Sequence, residues 1–490
     1  MLKKIRFWLA LIFWVSITIL FLDFTGGLHA YLGWMAKLQF LPAILSLNIG
    51  VIMFVLALTF LFGRVYCSVI CPMGVFQDFV SRIAGRFKKR RFSFKEKKLS
   101  VRFYILGAFV LFLIFFAPVA DLIAPYSAYG RMVNSLFQPV YQWFHNIAAS
   151  IAEHYDSYSV YKVDVWFKGG ITFAIAIVTL VVVSLWSWKA GRGYCNTVCP
   201  VGTVLGLIST KSLFKVNINA DKCVNCGLCE KNCKAQALDY KSHKIDYSRC
   251  VACMNCIDVC KKSAIAFSRC KAEKAETKAS PEVDDSLRKT LATTALLAVS
   301  SVVKAQEKTV DGGLAVIEDK KIPEREIPVK PAGARGYKHF ASHCTACQLC
   351  VAQCPNGVLR PSSSLATFMQ PEMSFERGYC RPECTRCSEV CPTGAIEKIT
   401  REEKTAIRAG HAVWIKQNCL PVSDGVSCGN CARHCPSGAI TMVPLEGNPD
   451  VKIPSVDTER CLGCGACEHL CPVRPFSAIY VEGNLVHGDL

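Results

Sequence analysis

The chain has 490 residues, of which 51% are hydrophobic and 29 are cysteines, and its formal net charge is +19. Its length corresponds to about two or three domains, and a mean hydropathy of +0.28 is high for a soluble protein, so membrane segments are expected. Cysteines this numerous in a long chain favour metal ligands over a disulfide framework, which is typical of short secreted domains, and they exclude an ordinary cytosolic enzyme.

Four uncharged apolar stretches near the amino terminus predict four membrane-spanning helices. A hydrocarbon layer of ~30 Å requires about 20 residues at a helical rise of ~1.5 Å per residue. The stretches are residues 7–22, 38–63, 103–120 and 169–188. The predicted fold of residues 1–210 is therefore a membrane α-helical domain, a four-helix transmembrane domain built from two hairpin repeats.

Positive charge predicts how these helices are oriented. Residues 64–102 contain eleven Lys and Arg, whereas residues 121–168 contain three. By the positive-inside rule the amino terminus and residues 64–102 are cytoplasmic, and the other two loops lie outside. The basic run at 88–91 is therefore interpreted as an anchor at the lipid surface, and nucleic acid is not expected as a partner.

The sequence GRxYCxxxCPxG occurs twice, at residues 63–74 and 191–202, each time after an apolar stretch. This internal duplication places four cysteines at one membrane face, and two thiols four residues apart on a helix share one side of it. We predict that the thiols converge as one redox site, although buried small apolar side chains or redox disulfides give the same pattern. The candidate redox pairs are Cys67 with Cys71 and Cys195 with Cys199.

Residues 211–270 contain two CxxCxxCxxxC runs, which is the ligand pattern of bacterial two-cluster ferredoxins. Four thiolates hold each [4Fe-4S] cubane, and the fourth cysteine of a run ligates the other cluster. Zinc is the alternative, but zinc ribbons favour two separated CxxC pairs. The predicted ligand sets are Cys223, Cys226, Cys229 and Cys260 for one cluster, and Cys250, Cys253, Cys256 and Cys233 for the other.

Four further quartets lie within residues 336–490, and a proline follows each of them. The outer two quartets have regular spacing, whereas the inner two have a longer first gap. This symmetry predicts nested pairing, first with fourth and second with third. The sixteen cysteines bring the predicted iron ligands to 24 and the predicted clusters to six; they are Cys344, Cys347, Cys350, Cys354, Cys380, Cys384, Cys387, Cys391, Cys419, Cys428, Cys431, Cys435, Cys461, Cys464, Cys467 and Cys471.

Residues 271–335 are interpreted as a linker between the two cysteine-rich regions. Within it, residues 287–305 combine a basic pair, a weakly apolar run and small residues, which resembles an export signal placed inside the chain. A cytoplasmic linker helix is the alternative, because the apolar run would extend only ~21 Å as a helix. Cys270, which belongs to no quartet, is interpreted as a free exposed thiol.

On these motifs, residues 1 to about 270 resemble the NapH family, the polytopic quinol dehydrogenase subunit of periplasmic nitrate reductase systems. Residues from about 285 onward resemble the NapG family, an exported four-cluster ferredoxin, and the related MauM protein of methylamine utilisation. The chain is thus similar to a NapH and NapG pair fused into one polypeptide. The resemblance implies α+β bacterial-type ferredoxin domains, one with two clusters and one with four.

The resemblance also implies a multi-pass protein of the cytoplasmic membrane, with residues 211–270 cytoplasmic and residues 306–490 periplasmic. Such a protein would oxidise quinol from the membrane pool and pass electrons to a terminal reductase or a cytochrome c-type carrier. Candidate proton acceptors are His29, His145 and His154 in the predicted outer loops. No histidine lies in the four stretches, and no CxxCH, GxGxxG or GxxxxGK[ST] motif occurs, so haem, nicotinamide and flavin signatures are absent.

Two other functions remain alternatives at the level of sequence. CxxxCP motifs followed by a dicluster domain also resemble the accessory proteins that assemble copper oxidases. The sixteen carboxyl-terminal cysteines argue against that role, because assembly requires no long series of clusters. A membrane redox sensor would keep its clusters without oxidising quinol.

Overall fold

The computed structural model describes residues 2–87, 92–94, 99–269 and 318–489. The basic run at 88–91, the Cys270 thiol and the signal-like segment 287–305 therefore lie outside the described residues. Helices dominate the amino-terminal part; they are α1 (Leu2–Leu22), α2 (His29–Leu32), α3 (Trp34–Lys37), α4 (Phe40–Leu45), α5 (Ile49–Phe62), α6 (Val65–Val69), α7 (Pro72–Phe87), α8 (Leu99–Phe115), α9 (Ala117–Ala120), α10 (Pro125–Met132), a π-helical turn (Val133–Phe137), α11 (Gln138–His154), α12 (Gly170–Ala190) and α13 (Pro200–Ser209).

Within the described residues, only α1 and α12 are long and apolar enough to cross a membrane. The prediction that 38–63 forms one continuous span is wrong. Leu47 adopts a left-handed φ of 51°, and the Asn48 side chain accepts a hydrogen bond from the Val51 amide, which caps a new helix. The resulting α5 has 14 residues, and α8 in the third stretch has 17 residues. The four-helix transmembrane domain is thus reduced to two helices of sufficient length and two shorter apolar ones.

A small α+β domain follows α13 and matches the predicted two-cluster ferredoxin fold. Its outer strands pair antiparallel, with Val216 opposite Phe267, and a shorter hairpin lies between them. Buried Val216, Leu238 and Ile265 form its core. The elements are β1 (Phe214–Ile218), α14 (Leu228–Lys231), β2 (Leu238–Asp239), β3 (Lys244–Ile245), α15 (Asn255–Val259) and β4 (Ile265–Arg269).

The carboxyl-terminal domain consists of short helices and two-stranded antiparallel sheets. Strands β5 and β6, β7 and β10, and β8 and β9 are paired. The elements are α16 (Tyr337–His343), α17 (Leu349–Ala352), β5 (Leu359–Pro361), a 3-10 turn (Leu365–Thr367), β6 (Pro371–Met373), α18 (Arg386–Val390), α19 (Arg401–Ala406), β7 (Ile407–Trp414), a second 3-10 turn (Lys416–Asn418), α20 (Leu420–Ser423), α21 (Asn430–Arg433), β8 (Ile440–Leu445), β9 (Asn448–Val456), α22 (Ala466–Leu470) and β10 (Ile479–Asp489).

Helix α1 separates the two cysteine-rich domains. Near its start, the Lys3 ammonium pairs with Asp258 of the two-cluster domain at 2.6 Å. At its end, the Leu20 carbonyl accepts a hydrogen bond of 3.3 Å from the Gln353 side chain of the carboxyl-terminal domain. Seventeen residues of helix correspond to ~26 Å. The two domains therefore contact opposite ends of α1, and the helical part lies between them.

One glycine in the carboxyl-terminal domain is required by a close contact. Gly465 begins α22 with a φ of +79°, and a Cβ there would lie 2.1 Å from the Phe375 ring. Gly447 has a φ of +85° with no neighbouring atom within 4 Å. Both positions disfavour a side chain by ~1–2 kcal/mol, but only Gly465 adds overpacking of ~1–3 kcal/mol. We expect Gly465→Ala to shorten the half-life of the cluster absorbance on heating well beyond Gly447→Ala; equal half-lives would contradict this packing argument.

Candidate electron-transfer site

The two GRxYCxxxCPxG repeats bring their four cysteines together in the protein interior. Cys67 lies in α6, Cys71 and Cys199 precede the prolines that begin α7 and α13, and all four side chains are buried. Burial raises the pKa of the Cys199 thiol well above its ordinary value, and nearby Cys195, Cys71 and Cys67 raise this pKa further. The thiols therefore lie close enough to interact. We call this group the four-thiol site.

The arginine of each repeat contacts the other repeat. Arg64 donates a hydrogen bond of 3.2 Å to the Cys195 carbonyl, and Arg192 donates one to the Cys67 carbonyl. The final glycine of each motif makes room for this exchange. A Cβ at Gly74 would lie 2.2 Å from the Cys67 carbonyl oxygen, and one at Gly202 would lie 2.3 Å from that of Cys195. The repeats thus interlock through reciprocal arginine contacts, a role for Arg64 and Arg192 that sequence reasoning missed although both lie in the repeated motif.

The two repeats differ in how they hold the two-cluster domain. Asp78 pairs with Arg192 at 2.8 Å, Arg6 at 3.0 Å and Lys234 at 3.6 Å. Gly206 occupies the position in the second repeat that corresponds to Asp78 in the first. Gly206 lies ten residues after Asn196, and Asp78 lies ten residues after Ser68. The first repeat has a carboxylate at this position, whereas the second has no side chain. A Cβ at Gly206 would lie 2.6 Å from the carbonyl oxygen of residue 248 in the two-cluster domain. One repeat therefore holds that domain by charge and the other by backbone packing.

Two arginines contact the same carbonyl beside the second repeat. Arg64 donates to the Ser248 carbonyl at 3.0 Å and to the Asn196 side chain at 2.8 Å. Arg102 donates to the same carbonyl at 3.4 Å and to the Ser248 hydroxyl at 3.2 Å. Since Ser248 lies two residues before Cys250, these contacts fix the four-thiol site beside the second cysteine run. No sequence pattern indicated Arg102 or Asp78.

The charges around the four-thiol site fit an anionic metal cluster. Arg64 is fully buried and Arg102 is 3% exposed, and neither forms an ion pair with a carboxylate within the described residues. An unpaired buried cation is costly, so an anionic occupant would be stabilising. Metal ions replace the protons of coordinating thiols, which converts neutral cysteines into thiolate ligands. Four thiols beside two buried guanidinium groups are therefore a suitable donor set for a cluster.

Hydrogen bonds reach at least three of the four sulfur atoms directly. Arg64 Nη2 donates to Cys67 Sγ at 3.8 Å. The Gln77 side-chain amide donates to Cys195 Sγ at 3.1 Å, and the Gly202 amide donates to Cys199 Sγ at 3.3 Å. Hydrogen bonds to cluster sulfurs are one of the means by which proteins set reduction potentials. Gln77 is fully buried, so its position is held by packing.

In the two-cluster domain the thiols fall into two groups, which remain the predicted ligand sets. Burial raises the pKa of the Cys256 thiol, and Cys253, Cys250 and Cys233 raise it further, so these four lie together. The other set surrounds a cavity of about 190 Å³ that also has apolar walls. We call the sets site 1 and site 2; site 1 is Cys223, Cys226, Cys229 and Cys260, and site 2 is Cys233, Cys250, Cys253 and Cys256.

The carboxyl-terminal quartets pair differently from the nested prediction, which is wrong. After burial, Cys391 is among the thiols that raise the pKa of Cys344, Cys347 and Cys350. Cys354 acts in the same way on Cys380 and Cys387. The first quartet therefore pairs with the second, because the fourth cysteine of each quartet lies with the first three cysteines of the other. Site 3 is Cys344, Cys347, Cys350 and Cys391, and site 4 is Cys354, Cys380, Cys384 and Cys387.

The third and fourth quartets exchange in the same manner. Cys471 lies near Cys419 and Cys431, and Cys435 lies near Cys461 and Cys464, in each case raising the pKa of a thiol already raised by burial. The long first gap of the third quartet contains α20 and does not signal a different partner. Site 5 is Cys435, Cys461, Cys464 and Cys467, and site 6 is Cys419, Cys428, Cys431 and Cys471.

The four carboxyl-terminal sites follow one another in space. Cys387 lies near Cys350, which connects site 4 with site 3. The Cys380 amide donates to the Cys464 carbonyl at 2.9 Å, which connects site 4 with site 5. Cys431 lies near Cys467, which connects site 6 with site 5.

In the described part of the chain, no three His, Cys, Asp or Glu side chains meet closely enough to bind a single metal ion.

A packed aromatic region joins site 3 to the four-thiol site. Burial raises the pKa of Tyr126 well above its ordinary value, and nearby Cys347, Cys391 and Tyr66 raise it further. Tyr66 in turn lies near Cys71 and Cys67. On the backbone, a Cβ at Gly130 would lie 2.5 Å from the Cys347 carbonyl oxygen. The helix α10 therefore packs directly against a site 3 ligand, and Tyr66 and Tyr126 fill the space up to the four-thiol site.

The three predicted proton acceptors do not form one site. His145 packs edge-on against Phe24 with ring centroids 5.1 Å apart. His154 lies nine residues further along α11, or ~14 Å. His29 begins α2, where burial lowers its pKa. The structure thus distributes these histidines over separate positions.

Comparison with known proteins agrees with this arrangement. The family described as "4Fe-4S binding domain" matches residues 44–91 and 171–219, one match for each repeat, and two further families of that description match residues 215–238 and 243–266. The "4Fe-4S dicluster domain" family matches residues 343–395 and 426–474, which are the two exchanged pairs. No solved structure matches the chain.

Curated relatives match the two parts of the chain separately. The ferredoxin-type protein MauM of Methylophilus methylotrophus is 33% identical over 165 residues, which are 31% of this chain and 69% of MauM. NapG of Escherichia coli is 30% identical over 149 residues, 28% of this chain and 63% of NapG. NapH of Haemophilus influenzae is 27% identical over 205 residues, 41% of this chain and 58% of NapH. The chain is a fusion of a NapH-type and a NapG/MauM-type ferredoxin protein.

This NapH/NapG-type fusion carries multiple 4Fe-4S ferredoxin-type domains and belongs among electron-transfer proteins. The chain spans between 48% and 67% of the length of the curated relatives that it matches first. Its membrane association is indicated by the two apolar helices and the NapH relatives.

Proposed function

We propose that this protein is a membrane-spanning, quinol-oxidising subunit that passes electrons through six [4Fe-4S] sites and the four-thiol site to a terminal reductase or cytochrome. The observation that carries this proposal is the position of the four-thiol site, which contacts the two-cluster domain at Ser248 and lies near site 3 through Tyr66 and Tyr126. Iron–sulfur clusters at these positions supply one-electron carriers. The fold of the chain determines which of these sites are neighbours.

The surfaces of α1 and α12 support a position across the bilayer. Trp8 is 60% exposed and Ile12 54% exposed on α1, and Val178 and Leu185 are similarly exposed on α12. Apolar patches of this extent are typical of membrane contact. The ~26 Å between the domain contacts on α1 approaches the ~30 Å of a hydrocarbon core. We infer that sites 1 and 2 lie on the cytoplasmic side and sites 3 to 6 on the periplasmic side.

The two ends of the series are accessible to partners. Val224 beside Cys223 is 60% exposed, and Val426 near Cys428 is 55% exposed. Site 3 is more enclosed, with Cys347 and Cys350 both 8% exposed. Redox partners therefore have access to sites 1 and 6, whereas quinol reaches the protein through the apolar helical part. Oxidation of one quinol to quinone releases two electrons and two protons, so the sites accept the electrons singly.

Reduction by a quinol analogue tests the proposal. Purified protein in lipid vesicles is mixed anaerobically with a reduced quinone analogue, and cluster reduction is followed by electron paramagnetic resonance. We expect partial reduction by the quinol and complete reduction by dithionite. If dithionite reduces the clusters while quinol reduces none, the quinol-oxidising role is wrong.

A further inference from the structure

A second site lies where the helical part meets the carboxyl-terminal domain. The end of α1, residues 161–168 and the polypeptide around site 4 enclose a cavity of about 510 Å³. Its wall includes Phe24, just after α1, and Cys354 of site 4. We call this space the junction cavity. It borders site 4 at Cys354, but none of the functions proposed above uses it.

The junction cavity has a strong excess of positive charge. Arg377, Arg381, Arg386 and Lys168 line it, together with Lys162, which pairs with Glu153 at 2.5 Å outside the cavity. The one carboxylate among the lining residues described is that of Asp164. The three arginines form no ion pair within the described residues. The cavity therefore has three guanidinium groups that are not paired with a carboxylate, and one carboxylate, Asp164, in its wall.

Site 4 does not account for these charges. Its own cation is Lys404, whose ammonium donates to Cys380 Sγ at 3.2 Å and to the Arg381 carbonyl at 2.6 Å. The arginines of the junction cavity are additional to the Lys404–Cys380 contact, which suggests that they bind a separate ligand.

Aromatic contacts hold the cavity in shape. The Trp166 ring packs between two guanidinium groups, with Arg360 Cζ 4.6 Å and Arg377 Cζ 5.1 Å from its centroid. Arg360 also pairs with Glu376. This stacking fixes residues 161–168 against the carboxyl-terminal domain. Arg377 is consequently held at the cavity wall by the ring, while its charge remains available.

The chemistry of the wall favours a phosphate group. Guanidinium groups bind phosphate oxygens in pairs and are more weakly hydrated than ammonium groups, which suits them to this ligand. Basic pockets between membrane helices bind anionic lipid headgroups at the cytoplasmic face, and the guanidinium–phosphate contact does not depend on which face the cavity occupies. The position also fits, because α11 presents exposed Trp143 and Phe144, 56% and 59% accessible, along an apolar face next to the cavity.

We propose that the junction cavity binds the phosphate group of an anionic ligand, and that its place at the end of α1 suits the headgroup of an anionic phospholipid. The lipid assignment rests on the proposed membrane-spanning arrangement. The phosphate chemistry rests on the cavity alone. Bound there, the headgroup would join the helical part to the carboxyl-terminal domain beside site 4.

Lipid retention tests this proposal without any redox measurement. Full-length protein is prepared in nanodiscs containing phosphatidylglycerol and phosphatidylcholine, transferred to detergent, and the retained lipid is counted by mass spectrometry. The triple variant Arg377→Gln, Arg381→Gln, Arg386→Gln is compared with Arg401→Gln, Arg433→Gln, Arg460→Gln, which removes the same charge from exposed arginines outside the cavity. Iron content of both variants reports folding.

Wild type and control are expected to retain phosphatidylglycerol at least about tenfold better than the triple variant, since three charge-assisted contacts are lost. Should the triple variant lose iron, the single exposed change Arg381→Glu provides the comparison and is expected to reduce retention in the same direction. A parallel titration with radiolabelled inorganic phosphate distinguishes the source. Phosphate binding that needs the three arginines, without lipid retention, supports the phosphate site with a soluble ligand. Equal binding of lipid and phosphate by triple variant and control overturns the proposal, and neither outcome depends on quinol oxidation.

Discussion

Replacing Cys195 by serine is expected to stop electron transfer between site 2 and site 3 while the six quartets keep their iron. Cys195 lies among the other repeat cysteines, accepts a hydrogen bond from Gln77, and contributes its carbonyl to Arg64. Removing its sulfur leaves three thiols, which is too few for a cluster held by four cysteine ligands. We therefore expect the variant to contain about four fewer iron atoms per chain.

The measurement uses the two sides of the protein separately. A membrane-impermeant reductant is applied to sealed vesicles from the side of sites 3 to 6, and reduction of sites 1 and 2 is followed by electron paramagnetic resonance. The matched control is Cys270→Ser, which removes the cysteine that belongs neither to a quartet nor to a GRxYCxxxCPxG repeat. The role of the four-thiol site would have to be abandoned if Cys195→Ser and Cys270→Ser conducted equally well with equal iron.

Replacing Asp78 by asparagine is expected to destabilise the contact between the helical part and the two-cluster domain. Asp78 is 8% exposed and pairs with Arg192, Arg6 and Lys234. Breaking a buried ion pair by removing one partner costs ~3–5 kcal/mol, because the remaining charge stays buried. Thermal loss of the cluster absorbance should occur at a clearly lower temperature. Asp258→Asn, which removes the exposed partner of Lys3, should have little effect.

The same residue predicts a dependence on pH. Burial alone would raise the pKa of the Asp78 carboxyl, but Arg192, Lys234 and Arg6 outweigh it and hold this pKa well below its ordinary range. A carboxyl group with a lowered folded pKa contributes stability above its unfolded pKa of ~3.9, and this contribution is lost as the pH falls below that value. Wild type should therefore lose thermal stability more steeply below about pH 4 than Asp78→Asn. Parallel curves for the two proteins would show that the carboxylate contributes nothing.

The grouping of the cysteines between residues 223 and 260 could be predicted because it depends on local spacing along the chain. In the CxxCxxCxxxC pattern the first three cysteines surround one cluster and the fourth reaches the other, and the predicted sets of sites 1 and 2 follow from that pattern. The duplication of GRxYCxxxCPxG likewise indicated that the four thiols converge. Pairing in residues 344–471 depends on which quartets share one fold, and the irregular gaps at Cys380 and Cys419 suggested the wrong partners.

The apolar stretches were less informative about helix bounds. Residues 38–63 are continuously uncharged, but Asn48 caps a helix and Leu47 turns the chain, so composition overestimated that span. Asp78 and Arg102 carried no signal because their partners lie far away in sequence, at positions 192 and 248. Contacts of this kind are set by tertiary packing, and no local periodicity encodes them.

The reciprocal contacts of Arg64 and Arg192 have the form of an isologous interface, in which residue i meets residue j and j meets i across a twofold axis. A homodimer of single-repeat chains would make both contacts identically. Covalent joining removes the requirement that the halves stay equal, and Asp78 opposite Gly206 shows where they have diverged. The molecule is in this sense a symmetric pair held in one polypeptide, in which one half contacts the two-cluster domain through a charged side chain and the other through a glycine packed on its backbone.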